Sequence, residues 1–125
     1  MGKDTRFVGL DVHANLIAVA VAEGGRDGEV RSHGTIENNP EAVRRLFKRL
    51  HSENRKIRVC YEAGPCGYGL YWQLTEMGID CEVIAPTLVP KKPGERVKTD
   101  RLDAMKLARC HRAGELTSVW VPDKK

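Results

Sequence analysis

Apolar and polar positions along the chain predict five strands and three helices. Phe7 to His13 (FVGLDVH) is apolar on both parities, as in a strand covered on both faces. Asp11 is the one carboxylate in that run, and Gly9, two residues before it on the same side, leaves room for a partner. Asn15 to Ala22 (NLIAVAVA) follows after a very short link, which predicts an antiparallel hairpin. Glu23 to Gly28 is a turn, and Glu29 to Ile36 is a more polar strand suited to a sheet edge.

Asn38-Asn39-Pro40 is a helix start, with Asn as N-cap and Pro at the first helical position. Ala42, Val43, Leu46, Phe47 and Leu50 then recur at helical spacing. Arg44, Arg45, Lys48 and Arg49 take the other face, most simply as a solvated surface. Lys56 to Glu62 (KIRVCYE) is a fourth strand that runs into the Gly- and Pro-rich turn Ala63 to Gly69. Leu70, Tyr71, Leu74 and Met77 mark a second helix, stopped near Gly78, and Asp80 to Ala85 is a fifth strand. A strand, helix and strand in that order imply parallel pairing. Pro86 to Lys98 holds three prolines and reads as a loop without periodicity. A third helix is expected from about Thr99 to Ala113, with Gly114 as its stop.

The fold class is therefore α/β. A mixed five-stranded sheet is expected, with three antiparallel strands followed by two parallel strands, flanked by helices. If the first and fourth strands are neighbours, Asp11 and Glu62 meet at their carboxyl ends, where sites form in open α/β sheets.

Composition narrows the class. The chain has 125 residues, 41% hydrophobic and 30% charged, as for one folded domain. It carries no apolar run of bilayer length and no signal-peptide pattern at Met1-Gly2-Lys3-Asp4, so no membrane association is expected and the cytoplasm is the expected compartment. The four cysteines, Cys60, Cys66, Cys81 and Cys110, lack zinc or disulfide spacing and are expected as reduced thiols. The net charge is +4, and Lys91, Lys92, Arg96, Lys98 and Arg101 cluster in one short stretch. Such a patch suits a nucleic-acid backbone, although a charge run taken alone is most simply solvated surface.

The chemistry centres on Arg96-Val97-Lys98-Thr99-Asp100-Arg101-Leu102-Asp103-Ala104. If the helix starts near Thr99, Asp100 and Asp103 share a face one turn apart, continued by Ala104, Leu107, Ala108 and His111. Leu102, Lys106, Arg109 and Arg112 take the opposite face. On these residues alone, helix capping is the commoner explanation. Together with Asp11 and Glu62, however, four carboxylates would converge, and their repulsion is relieved by divalent cations. Two Mg²⁺ ions would balance the charge and could serve a phosphodiester displacement.

These motifs resemble the N-terminal catalytic domain of the insertion-sequence-110-type transposases, the DEDD family with a RuvC-like, ribonuclease-H-like fold. The resemblance lies in Val8-Gly9-Leu10-Asp11-Val12-His13, in Tyr61-Glu62-Ala63-Gly64-Pro65 with Gly67-Tyr68-Gly69-Leu70, and in Arg96 to Ala104. Ala113-Gly114-Glu115-Leu116 and Val119-Trp120-Val121-Pro122 extend it over nearly the whole chain. It implies Asp11, Glu62, Asp100 and Asp103 as catalytic metal ligands, with Mg²⁺ as cofactor and Mn²⁺ as a substitute. It further implies DNA cleavage and strand exchange in transposition, a structured guide (bridge) RNA, and a homo-oligomer in the full-length protein. Residues 1–125 are expected to be that one domain, without the C-terminal domain whose serine acts as nucleophile in the family, so the chain alone is expected to be inactive in strand exchange.

Other readings stay open on the residues. A nucleic-acid-binding or assembly module, inactive on its own, would share the basic stretch. A junction-resolving nuclease would share the four acids. An actin-like sugar kinase would share the first strand and hairpin, but needs a second phosphate-binding hairpin that the sequence lacks.

Overall fold

The computed structural model describes residues 5–25, 28–51, 55–89, 98–100 and 102–122, with 87–89 and 98–100 described by their backbone. The strands are β1 (Thr5–Val12), β2 (Leu16–Glu23), β3 (Val30–Glu37), β4 (Lys56–Glu62), β5 (Asp80–Ile84), β6 (Thr87–Val89) and β7 (Lys98–Asp100). The helices are α1 (Pro40–Leu50), α2 (Gly69–Glu76) and α3 (Ala104–Ala113).

The main sheet has five strands in the order β3-β2-β1-β4-β5. The pairs β1–β2 and β2–β3 are antiparallel, and β1–β4 and β4–β5 are parallel. This is the mixed sheet expected of a ribonuclease-H-like fold. The largely exposed β3 forms its edge, as its polar sequence predicts.

Both faces are covered, which explains why β1 is apolar on both parities. On one face Val8, Leu10, Val12, Ile17, Val19, Val21, Val59, Tyr61 and Val83 form the large core with α1 and with Leu74 of α2. The Asn39 side chain caps α1 by accepting from Ala42 N at 2.8 Å, with Pro40 in the first turn. That helix buries Ala42, Val43, Leu46, Phe47 and Leu50, the predicted stripe.

The other face is nearly flat. Phe7, Ala20 and Ala22 lie under Ala104 and Ala108 of α3, and Cys60 and Ile84 lie under Leu107. Small side chains let the helix come close. A Cβ on Gly9 would stand 2.3 Å from Ala104 O and 2.5 Å from Ala108 N. Gly9 therefore makes room for the α3 backbone, rather than for a partner of Asp11 as its place in the sequence suggested.

Two expectations are corrected. The stretch after Pro86 is not wholly irregular, because β6 and β7 form an antiparallel ribbon with Thr87 opposite Asp100. Strands of three residues are too short to show a period, although Thr87, Val89 and Thr99 are β-branched. The third helix begins at Ala104 and not near Thr99, because Lys98 to Asp100 is held in that ribbon. Asp100 and Asp103 therefore do not share a helix face.

Candidate functional site

The site lies where β1 and β4 end beneath the start of α3. Register pairs Gly9 with Cys60 and Leu10 with Tyr61. One step further along these parallel strands come Asp11 and Glu62, on neighbouring strands about 4.8 Å apart. Side-chain alternation sends both to the face that carries α3. Along β1, Phe7 meets His111 edge-on at 5.4 Å and Gly9 meets Ala104 and Ala108. The helix thus runs antiparallel to β1 and brings its N-terminus over the strand ends that carry the acids.

Glu62 is the best-defined member. It is buried, at 8% exposure. Its Oε1 accepts the backbone N–H of Leu102 at 3.0 Å. Its Oε2 is buried and has no hydrogen-bond partner among the described residues. A buried carboxylate oxygen held from water without a donor is costly, so this oxygen suits a cation. The positive end of the α3 dipole also favours a carboxylate here.

Asp11 is half-buried, and its Oδ2 lies 3.1 Å from Nε2 of His13, a half-exposed residue just past β1. Asp103 is exposed and is the N-cap of α3, its Oδ1 accepting from Lys106 N at 2.8 Å. The capping explanation is therefore correct for Asp103. Asp100 ends β7, two residues before the Leu102 that binds Glu62. Its side chain is outside the described residues. Lys91, Lys92, Arg96 and Arg101 lie outside the described residues, and Lys98 is described by its backbone in β7. Among the described residues, no three His, Cys, Asp or Glu side chains converge as a metal-holding group.

The Glu62–Leu102 bond had no sequence signal, because its partners are 40 residues apart. Two further polar anchors hold α3. Arg112 Nη1 donates to Glu23 O at 2.9 Å and to Gly28 O at 2.7 Å, clasping the β2–β3 turn instead of facing solvent. His111 Nε2 lies 2.8 Å from Glu82 Oε2, and Ser118 Oγ donates to Glu82 Oε1 at 2.8 Å. Burial pushes the His111 pKa down against the pull of the Glu82 carboxylate. Burial also raises Glu82, but the bonds from Ser118 and His111 outweigh it and hold that carboxyl below its usual range. The cysteines are free thiols. Burial pushes Cys81 up to about 12 and Cys60 higher still, so neither is a thiolate nucleophile.

Residues 8–125 match the family of DEDD transposases of the insertion-sequence-110 type, described as Transposase. The chain is 53% identical over 118 residues to the provisionally named transposase y4qE of Sinorhizobium fredii (strain NBRC 101917 / NGR234), covering 94% of this chain and 30% of that protein. It is 36% identical over 107 residues to the transposase for insertion sequence element IS1533 of Leptospira borgpetersenii, covering 86% of this chain and 31% of that protein. The chain thus spans less than a third of the length of these curated relatives. Among solved structures, a Thermus thermophilus RuvC structure aligns with 91% of this chain and 99% of its own, at 16% identity and a TM-score of 0.45. With the family match spanning nearly every residue, the chain belongs to the insertion-sequence-110-type DEDD transposases.

Proposed function

We propose that this chain is the metal-dependent DNA-cleaving part of an insertion-element transposase. Asp11, Glu62, Asp100 and Asp103 hold Mg²⁺, which Mn²⁺ can replace. The observation that carries the reading is the buried Oε2 of Glu62, without a partner among the described residues, on the strand next to Asp11 and beneath the N-terminus of α3. Glu62 is anchored through Oε1, which leaves Oε2 for a cation. Asp103 caps α3 through Oδ1 and keeps its second oxygen for the same purpose. Asp100 arrives from the ribbon and completes the set.

Bound divalent metal supplies Lewis-acid stabilisation of the attacking and leaving oxygens in a phosphodiester displacement. The chain's own groups do the rest. The Glu62–Leu102 bond fixes one carboxylate and the start of α3 relative to each other. Lys91, Lys92, Arg96, Lys98 and Arg101, the basic stretch of the sequence that leads to Asp103, hold the DNA phosphates. Strand exchange, a structured guide RNA and assembly into a homo-oligomer belong to the longer protein, acting in the cytoplasm. Among the described residues, no helix is long and apolar enough to cross a membrane.

Mn²⁺ calorimetry on this chain and on Asp11→Asn/Asp103→Asn tests the reading. Asn keeps a cap at residue 103, so the fold is retained. Saturable binding in the wild type that is lost in the variant is the expected result. Equal heats in both proteins would leave a nucleic-acid-binding module without a metal centre.

A further inference from the structure

We infer a second DNA-binding surface on α1, on the sheet face opposite the acidic site. It rests on the transposase reading above, because transposition joins two DNA segments and each must be held. Two concavities of about 520 and 420 Å³ share His51, Ile57, Met77 and Ile79, and so form one groove. Phe47, Ile57, Met77 and Ile79 make its apolar floor, over which long cationic stems can lie.

The groove is lined by five Lys or Arg residues and two carboxylates. Of these, Arg45 is 3.9 Å from Glu41, and Arg55 pairs with Glu23. Arg44, Lys48 and Lys56 are exposed, and no carboxylate among the described residues pairs with them. Arg49 adds a fourth exposed cation on the next row of α1. A solvated helix face is usually laced with both signs; here Glu41 is the only acid on α1.

The spacing suits a phosphate rail. Arg44 and Lys48 are four residues apart on α1, as are Arg45 and Arg49. Each pair is therefore about 6 Å apart along the axis. One DNA strand carries a phosphate about every 3.4 Å of helix axis, so each row can meet alternate phosphates. The five-stranded sheet stands between this surface and Asp11 and Glu62, which lie on its α3 face. A stiff duplex held at the acids does not turn back across that thickness. The occupant is a second DNA duplex.

The test is fluorescence anisotropy with a labelled DNA duplex of about 20 base pairs, in EDTA, over a salt series. Arg44→Gln/Lys48→Gln is compared with Lys106→Gln/Arg109→Gln, which removes the same charge from the exposed side of α3. Gln is a good helix former, and all four positions are exposed, so folding is retained. The α1 pair is expected to weaken the second of two duplex-binding steps at least tenfold and to flatten the log–log salt slope of that step by about 2. Adding Arg49→Gln and Lys56→Gln brings the loss of slope to about 4. Equal losses from the two pairs would mean that only net charge matters, and would overturn the surface. Tighter capture of an RNA duplex of equal length would overturn the choice of DNA. Mn²⁺ calorimetry on the α1 variant separates the two proposals. Unchanged heats with the second duplex lost place this surface apart from the acids. A wild type without Mn²⁺ heats fails the metal reading and leaves the α1 result standing.

Discussion

Leu102 donates its backbone N–H to Glu62 Oε1 at 3.0 Å, so the residue between two aspartates is tied to the acid at the end of β4. The bond uses one carboxylate oxygen and leaves the other buried without a donor among the described residues. Asp11 lies near the end of the neighbouring strand on the same sheet face, and like charges on adjacent strands destabilise. Glu62→Gln keeps an acceptor for Leu102 and replaces the partnerless oxygen with an amide. It should therefore raise metal-free stability, by about 1 kcal/mol. Thermal unfolding in EDTA measures this. Mn²⁺ should stabilise the wild type by about 2.7 kcal/mol at a hundred times its Kd, and should not stabilise the variant. A variant that is less stable, beside a wild type indifferent to Mn²⁺, would make Glu62 a structural tether alone.

Gly9→Ala tests the seat of α3. The added Cβ would meet Ala104 O, Ala108 N and the Leu107 Cβ, all closer than 3.0 Å. Two of these are backbone atoms and cannot rotate away. The expected loss is at least about 1–3 kcal/mol in urea unfolding, the range for overpacking. Any Mn²⁺ site at the α3 N-terminus should weaken with it. Wild-type stability in the variant would mean that α3 sits further from β1 than the structure places it.

Much of this arrangement was legible in the sequence. The two-sided apolar run of β1 required a central strand, and Asn39-Pro40 marked the start of α1. The order of strands and helices implied the parallel β4–β5 pair. The start of α3 was not legible. Asp100 and Asp103 have the spacing of a helical first turn, and only pairing with Thr87 draws Asp100 into a strand. Local spacing cannot report a partner that distant. The same limit hid the roles of Gly9 and Arg112, whose contacts come from elements far along the chain.

Asp103 separates capping from metal binding. Asp103→Ala removes the bond to Lys106 N and should cost about 1 kcal/mol. Asp103→Asn retains a capping oxygen and should stay within about 0.5 kcal/mol of wild type. If Asp103 also holds a cation, the Asn variant should lower Mn²⁺ affinity about tenfold in calorimetry, since a charged ligand becomes neutral. Unchanged affinity would confine Asp103 to capping.

The anchor at the far end of α3 should make stability depend on pH. His111 is buried, with Nε2 on Glu82 and Nδ1 lacking any partner among the described residues. Protonation would place a second N–H at Nδ1 with no acceptor, and the Arg58 charge also opposes it. The folded-state pKa is therefore below the ordinary 6.5. As pH falls through about 6.5, the unfolded chain takes up a proton before the folded one, so stability declines. Glu82, held below its ordinary 4.5 by Ser118 and His111, adds a further loss in the same direction at lower pH. His111→Gln removes the titrating group. Urea unfolding of both proteins at pH steps from about 7.5 to 5 should show a decline in the wild type that is flattened in the variant. Parallel profiles would place the titration elsewhere.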